Sequence, residues 1–352
     1  MPDARDRALF RDFAFWTQRI VLALALVILL PSTMLMAGNA TLASAAPDDS
    51  GFDFWVDSSM GPIKSRVFRA ADGNTDRVVY ALDGMRARDD LNGWEIETDV
   101  PRRLADQNIN VVMPVGGQSS FYTDWRGPST FLGIPAGSLS ISSGSGATQA
   151  FSAGPGKSNT YKWETFLSQD LRNALRDRLG FNTSRNGVFG LSMGASAALA
   201  LAADHPDQFS FAGAFSGYLS LTGPGMLPAL RLAMLDAGGY NLDCMVSSIF
   251  DPKWQRVDPF LFAPTLIANK TRLWVSSSNG LPTSADGFSS DTFNGMALES
   301  LALSNTRTFQ IRMNMLRATN ITYDFPAAGI HNWKNWQDEA TRMIPDLSAN
   351  IG

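Results

Sequence analysis

"VFGLSMGASAALALAA", residues 188–203, decides the fold. A short apolar run ending at Leu191 leads into Gly190-Leu191-Ser192-Met193-Gly194, which fits G-x-S-x-G, and small helix formers follow from Ala195 to Ala203. Strand, sharp turn and helix are the context in which this pattern lifts a serine hydroxyl clear of a sheet edge. So tight a turn leaves no room for side chains two places either side of the serine, which accounts for Gly190 and Gly194. The helix beginning beneath Ser192 favours negative charge that develops at its N-terminus. Ser192 is therefore the candidate nucleophile; an ordinary glycine–serine turn is the alternative.

Working outward, apolar runs of strand length recur at 77–82, 109–115, 187–191, 211–217, 272–278 and 321–326. Most are continuous rather than alternating, as expected of strands covered on both faces. Between the second and third lies "YKWETFLSQDLRNALRDRLG", where Phe166, Leu167, Leu171, Ala174, Leu175 and Leu179 fall at helical spacing and Gly180 sits where a helix stops. Strands alternating with helices mean a mostly parallel α/β sheet with helices on both faces.

A composition of 45% hydrophobic and 18% charged residues, with a formal net charge of −4, is that of an ordinary globular chain. The scattered Lys and Arg give no electrostatic footprint for nucleic acid. Two histidines and one cysteine supply too few ligands for a zinc site, so no metal and no cofactor are expected. Cys244 can form no disulfide within the chain and reads as a small buried filler. At the N-terminus, Arg5, Arg7, Arg11 and Arg19 precede an apolar run from Ile20 to Leu30, and "ASA" at 43–45 has the small-x-small pattern of a cleavage site. Residues 1–45 thus read as a secretory signal peptide, with an uncleaved N-terminal anchor as the alternative. Residues 46–57 read as a linker, 58–345 as one catalytic domain and 346–352 as a C-terminal tail. A Gly/Ser-rich insertion at about 127–159 interrupts the domain; its length suits a lid, a rim or a plain surface excursion.

A serine hydroxyl near neutral pH needs a base. The chain order for this strand–turn–helix context is serine, acid, histidine. His205 follows the elbow helix too closely and reads as structural. His331, in "HNWKNW" after the last strand, is the candidate base. The acid belongs after the strand "RLWVSSS", where Asp286, Asp291 and Glu299 all qualify on first principles. Backbone N–H groups of Met193 and of Met85, in the Gly84 loop after an early strand, are the candidate oxyanion donors.

The stretches "LDGMRARDDLNGWEI", "VMPVGGQSSFYTDW", "YKWETFL", "GLSMGASAALALAA", "AGGYN", "DPKWQRVDP" and "GIHNWKNW" resemble the mycolyltransferases of the antigen 85 type and their corynebacterial relatives. They span roughly Ser58 to Trp336. The resemblance implies an α/β-hydrolase fold, a Ser192–Glu299–His331 triad, an oxyanion hole at Met85 and Met193, and Asp83, Arg86 and Trp333 at a sugar-binding mouth. It implies a secreted cell-envelope enzyme that takes a mycolyl chain from trehalose monomycolate and passes it to a second trehalose monomycolate, to arabinogalactan or to a protein hydroxyl. A secreted carboxylesterase on the same fold is the alternative. Met226, Leu227, Leu230, Met234 and Leu235 are candidates for an acyl-groove wall, with plain core as the other reading. "WVSSSNG" carries serines where some relatives have a cysteine near the acid, so control through such a thiol cannot apply.

Overall fold

The computed structural model describes residues 51–129, 159–287 and 289–352. The proposed signal peptide and residues 130–158 of the insertion lie outside the described residues.

Strands β1 (Gly51–Val56), β2 (Ile63–Phe68), β3 (Val78–Leu82), β4 (Asn110–Pro114), β5 (Asn186–Leu191), β6 (Phe209–Phe215), β7 (Arg272–Ser276) and β8 (Ile321–Asp324) form one sheet in the order β1-β2-β4-β3-β5-β6-β7-β8. β1–β2 and β2–β4 pair antiparallel; every other neighbour is parallel. All residues of β3, β4 and β5 are buried, as expected for strands with both faces covered.

The helices that cover those faces are α1 (Val100–Asp106), α2 (Leu171–Leu179), α3 (Met193–Asp204), α4 (Met226–Asp236), α5 (Pro259–Ala268), α6 (Ser290–Met315) and α7 (Trp333–Asn350). Residues of α1 and α7 bury Val100, Leu104, Trp336, Ala340, Met343 and Leu347 on one face of the sheet. Leu171, Leu199, Leu266 and Phe309, from α2, α3, α5 and α6, pack into the cluster on the other. α2 continues a π-helical turn, Phe166–Asp170, and ends at Gly180 in the left-handed region, where the sequence places its stop.

α7 carries the histidine loop at its N-terminal end, so its seating positions the site. Two sheet glycines let it approach closely. A Cβ on Gly213 would lie 2.5 Å from Met343 Sδ, and one on Gly187 would lie 2.6 Å from Leu347 Cδ1. Larger residues there would lift the helix and whatever it holds.

Two boundaries differ from the sequence reading. The expected linker 46–57 contains β1, because Phe54 and Val56 alternate with exposed Asp53 and Trp55, giving one buried face on an edge strand. The expected tail from 346 is the last part of α7; Leu347 and Ile351 continue its apolar stripe into the core. A run too short to show periodicity hides both.

Leu347→Ala should cost about 3 kcal/mol, the usual range for deleting a fully buried leucine side chain, as read by urea unfolding. A loss below about 1 kcal/mol would mean that this end of α7 is not part of the core.

Candidate active site

Ser192 stands where β5 turns into α3, at φ 52° and ψ −117°. A non-glycine residue there costs about 1–3 kcal/mol and persists only when its surroundings hold it. The holders are visible. Ser192 N–H donates to Phe215 O at 2.8 Å, tying the turn to the end of β6. A Cβ on Gly190 would lie 2.5 Å from the Gly194 carbonyl, and one on Gly194 would lie 2.3 Å from Asp83 O. These two glycines are needed for close approach, as the sequence implies. The loop after β3 therefore rests directly on the start of α3. Gly84 packs against Leu191 and Ser192, and Met85 follows. Among the described residues neither Met85 N–H nor Met193 N–H is taken by a hydrogen bond.

His331 arrives from the other direction. Its N–H donates to Gly295 O at 3.1 Å, fastening its loop to α6. Gly295 permits this contact: a Cβ there would lie 3.2 Å from Ile330 Cδ1 and 3.6 Å from His331 N. One turn further along the same helical face, Glu299 Oε2 lies 3.0 Å from His331 Nδ1. With Nδ1–H donated to the carboxylate, Nε2 is left as the acceptor, the tautomer a base requires. Trp336 meets the imidazole edge-on at 4.9 Å between ring centroids, and Tyr218 lies 6.2 Å away.

Glu299 is fully buried, and its second oxygen is saturated with donors. Oε1 accepts from Ser216 Oγ at 2.9 Å, Ser277 Oγ at 2.9 Å and Ser278 N–H at 2.7 Å. Trp336 Nε1–H donates in turn to Ser216 Oγ at 2.9 Å. A buried carboxylate without such partners would be strongly destabilising. Here its partners come from the ends of β6 and β7, so the sheet edge itself fixes the carboxylate.

Among the described residues Ser192 Oγ and the His331 ring share no direct hydrogen bond; both sit on the carboxyl edge of the sheet, Ser192 buried and the His331 side chain 8% exposed. In serine enzymes this contact commonly tightens only in the substrate complex.

The other acid candidates do different work. Asp286 accepts from Thr283 N–H and Oγ1 and from Asn332 Nδ2 at 2.8 Å, bracing the histidine loop. Asp291 is exposed in the first turn of α6. Glu299 sits within a helix rather than on a loop: the Gly-, Ser- and Pro-rich stretch ends where α6 begins at Ser290, nine residues before it. His205 Nε2 lies 3.2 Å from Glu164 Oε1, at the far end of α3, a structural pairing as expected.

The three residues expected at a sugar mouth fare differently. Asp83 is 6% exposed, and its oxygens accept from Gly84 N–H at 2.7 Å and Gly93 N–H at 2.8 Å. Burial pushes its carboxyl above the ordinary range, partly offset by those two donors. It closes the loop rather than facing outward. Trp333 is half-buried, wedged over Gly93 and edge-on to Trp94 and Trp336. Arg86 is exposed and pairs with Asp236 at the end of α4, joining the two elements. On α4, Met226, Leu230 and Met234 are core, which overturns their reading as a groove wall, while Leu235 is 41% exposed. Among the described residues no cluster of His, Cys, Asp or Glu could hold a metal ion.

Sequence reasoning misses Ser216, Ser277, Ser278, Tyr218 and Gly295. The three consecutive serines closing a buried strand are a signal in retrospect, since hydroxyls there must find a partner.

This strand order, elbow and late histidine define an α/β-hydrolase of the esterase class; residues 62–347 match the family described as "Putative esterase". The chain belongs, within that class, to the antigen 85 mycolyltransferase family. It is 36% identical over 340 residues to "Diacylglycerol acyltransferase/mycolyltransferase Ag85B" of Mycobacterium avium, covering 96% of this chain and 95% of the relative. It is 38% identical over 276 residues to the Ag85C protein of the same organism, covering 78% and 71%. Among solved structures, Mycobacterium tuberculosis MPT51 (FbpC1) superposes with a TM-score of 0.69 at 28% identity, over 86% of this chain and 99% of that one. A fluorophosphonate-binding serine hydrolase of Staphylococcus aureus, at 11% identity and TM-score 0.58, shares the fold alone.

Gly194→Ala should fold with a lower Tm and lose at least about tenfold in acyl-enzyme formation, since its methyl meets backbone rather than a movable side chain. Wild-type rates and Tm in that variant would contradict the close packing of the β3 loop on α3.

Proposed function

We propose that the protein is an extracytoplasmic acyltransferase of the cell envelope. It carries a mycolyl chain from trehalose monomycolate, through an ester on Ser192, to the hydroxyl of a second trehalose monomycolate, of arabinogalactan or of a protein. The observation that carries this reading is the 3.0 Å contact between His331 Nδ1 and Glu299, fixed at the same sheet edge as the strained serine. Family membership supports a mycolyl chain as the acyl group.

Ser192 Oγ attacks the ester carbonyl of the donor while His331 Nε2 takes its proton. Negative charge then gathers on the former carbonyl oxygen. Met85 N–H and Met193 N–H are the proposed donors to that oxygen; each such donor is typically worth about 3 kcal/mol of transition-state stabilisation. Glu299 stabilises the imidazolium without taking its proton. Collapse breaks the ester C–O bond, and His331 returns the proton to the departing trehalose oxygen. In the second half, an acceptor hydroxyl loses its proton to His331 and attacks the acyl-enzyme, and Ser192 leaves reprotonated. Water would follow the same course, so transfer depends on how well the mouth holds a sugar against solvent.

At that mouth, Arg86 and the exposed part of Trp333 are the groups with reach. Arg86 can donate to sugar hydroxyls once its exposed pairing with Asp236 opens, a pairing worth little in water. Asp83 acts from behind, keeping the Gly84–Met85 loop in shape. The acyl chain comes from a lipid layer and is already out of water, so the groove contributes position more than affinity. A cleaved N-terminal signal would deliver the enzyme to that layer; no helix among the described residues is long and apolar enough to cross a membrane.

Purified protein incubated with trehalose monomycolate should release free trehalose and accumulate trehalose dimycolate, and Ser192→Ala should do neither. Free mycolic acid as the sole acyl product would make it an esterase. Undiminished turnover in Ser192→Ala would remove the proposed nucleophile.

A further inference from the structure

Behind Glu299 lies a second buried carboxyl group that the mechanism does not use. Glu339, on α7 within "HNWKNWQDE", is fully buried. Its Oε1 lies 3.2 Å from Ser278 Oγ and 3.3 Å from Asn335 Nδ2, and its Oε2 has no hydrogen-bond partner. Ser278 joins the two acids: its N–H donates to Glu299 Oε1 at 2.7 Å, while its hydroxyl faces Glu339 and Asn335.

A count of protons favours the neutral form of this group. Ser278 Oγ lies 2.8 Å from Asn335 Oδ1 as well as 3.2 Å from Glu339 Oε1, yet has one proton to give. If that proton goes to Asn335, the Glu339 contact needs a proton from Glu339. Turning the Asn335 amide over frees Ser278 to donate to Glu339, but then sets the amide oxygen against Glu339 Oε1, which again needs a proton on the acid. The carboxylic acid satisfies every contact in both arrangements, which the carboxylate does not. The Ser276 hydroxyl, itself without another partner, faces the carboxyl and partly favours its charged form, but Oε2 makes no hydrogen bond of ordinary geometry, which fits a neutral acid better than a buried charge.

We propose that Glu339 is a positioning residue for the Glu299–His331 pair, acting as a protonated acid that holds Ser278 and so aims the Ser278 N–H at Glu299. The proposal rests on Glu299 and His331 being the working pair. Geometry makes Ser278 a lever with two ends. Its hydroxyl is fixed to α7 by Glu339 and Asn335, and its amide is fixed to the carboxylate on α6. α7 also begins two residues after His331, so the same helix sets the imidazole and steadies its acid. A neutral acid does this without placing a second negative charge beside Glu299. Burial and the Glu299 charge push the Glu339 carboxyl well above the usual carboxylate range. The charged groups facing it are Glu299 on α6, Asp324 at the end of β8 and Arg342 on its own helix, the last two paired with each other.

The test uses the full chain with a p-nitrophenyl acyl ester, against Glu339→Gln, Glu339→Leu and Ser192→Ala. The amide of Glu339→Gln can still donate to Ser278, so kcat should stay within about threefold of wild type, whereas Glu339→Leu should lose about tenfold or more in kcat with KM within about twofold. Wild-type kcat in a folded Glu339→Leu, or an equal loss in Glu339→Gln, would overturn the proposal. If Glu339→Leu does not fold by circular dichroism, Ser278→Ala takes its place; it keeps the backbone donor and loses the hydroxyl. Its kcat should fall about fivefold, and unchanged kcat would be the contradicting result. Activity surviving in Ser192→Ala would instead sink the reading of the site itself.

Protonation has its own readout. A raised folded pKa means the folded protein keeps a proton that the unfolded chain releases above about pH 4.5, so wild-type stability falls as pH rises from there. Glu339→Gln removes that slope, and its Tm advantage over wild type should grow from pH 5 to pH 9. A gap that does not change with pH would show the group ionised in the fold, contrary to the proposal.

Discussion

A carboxylate with no access to water, held at the end of a parallel sheet, is the constraint around which the rest of this structure is arranged. Glu299 is charged only if the fold supplies donors in place of solvent, and it supplies them from three directions: Ser216 after β6, Ser277 and Ser278 after β7, and His331 after β8. Each strand end therefore has a duty beyond pairing. The serines set the carboxylate, the carboxylate sets the imidazole tautomer, and the tautomer decides whether Nε2 can accept a proton. Loss of any strand register would reach the chemistry through this chain of contacts.

Ser192 is fixed by a different means. Its backbone strain is balanced by hydrogen bonding to Phe215 and by the packing of the β3 loop against Gly194. Shape rather than charge holds it. The same loop carries Met85, so the proposed oxyanion donor and the proposed nucleophile are registered by one contact surface. Asp83, expected to greet a sugar, turns inward and closes that loop through Gly84 and Gly93. A residue fixed in that way preserves the mouth without lining it.

How much of this could be read from the sequence follows from which interactions are local. The elbow and its helix are local, so the pattern at 188–203 locates both. Continuous apolar runs mark β3 to β6 because burial on both faces needs no partner to be visible; β7 and the half-buried edge strand β8 carry a weaker form of that signal. β1 and β2 lie at the antiparallel edge, with mixed burial, and leave a weaker trace. The histidine is legible by scarcity, since only two exist. Glu299 is not legible from the residues alone: three carboxylates fit the chain order, the resemblance singles this one out, and in the fold it is the contact with His331 that separates it from the others. The serine cluster and Glu339 are long-range contacts between β6, β7, α6 and α7, and their meaning appears only when those elements are assembled.

Reaction of the protein with a long-chain alkyl phosphonate, followed by crystallography of the adduct, tests the central claim most directly. The account requires phosphorus on Ser192 Oγ, a phosphonyl oxygen within hydrogen-bond distance of Met85 N and Met193 N, and His331 Nε2 turned to the serine with Nδ1 still on Glu299. An adduct in which His331 has left Glu299, or in which the phosphonyl oxygen points away from both amides, would contradict it.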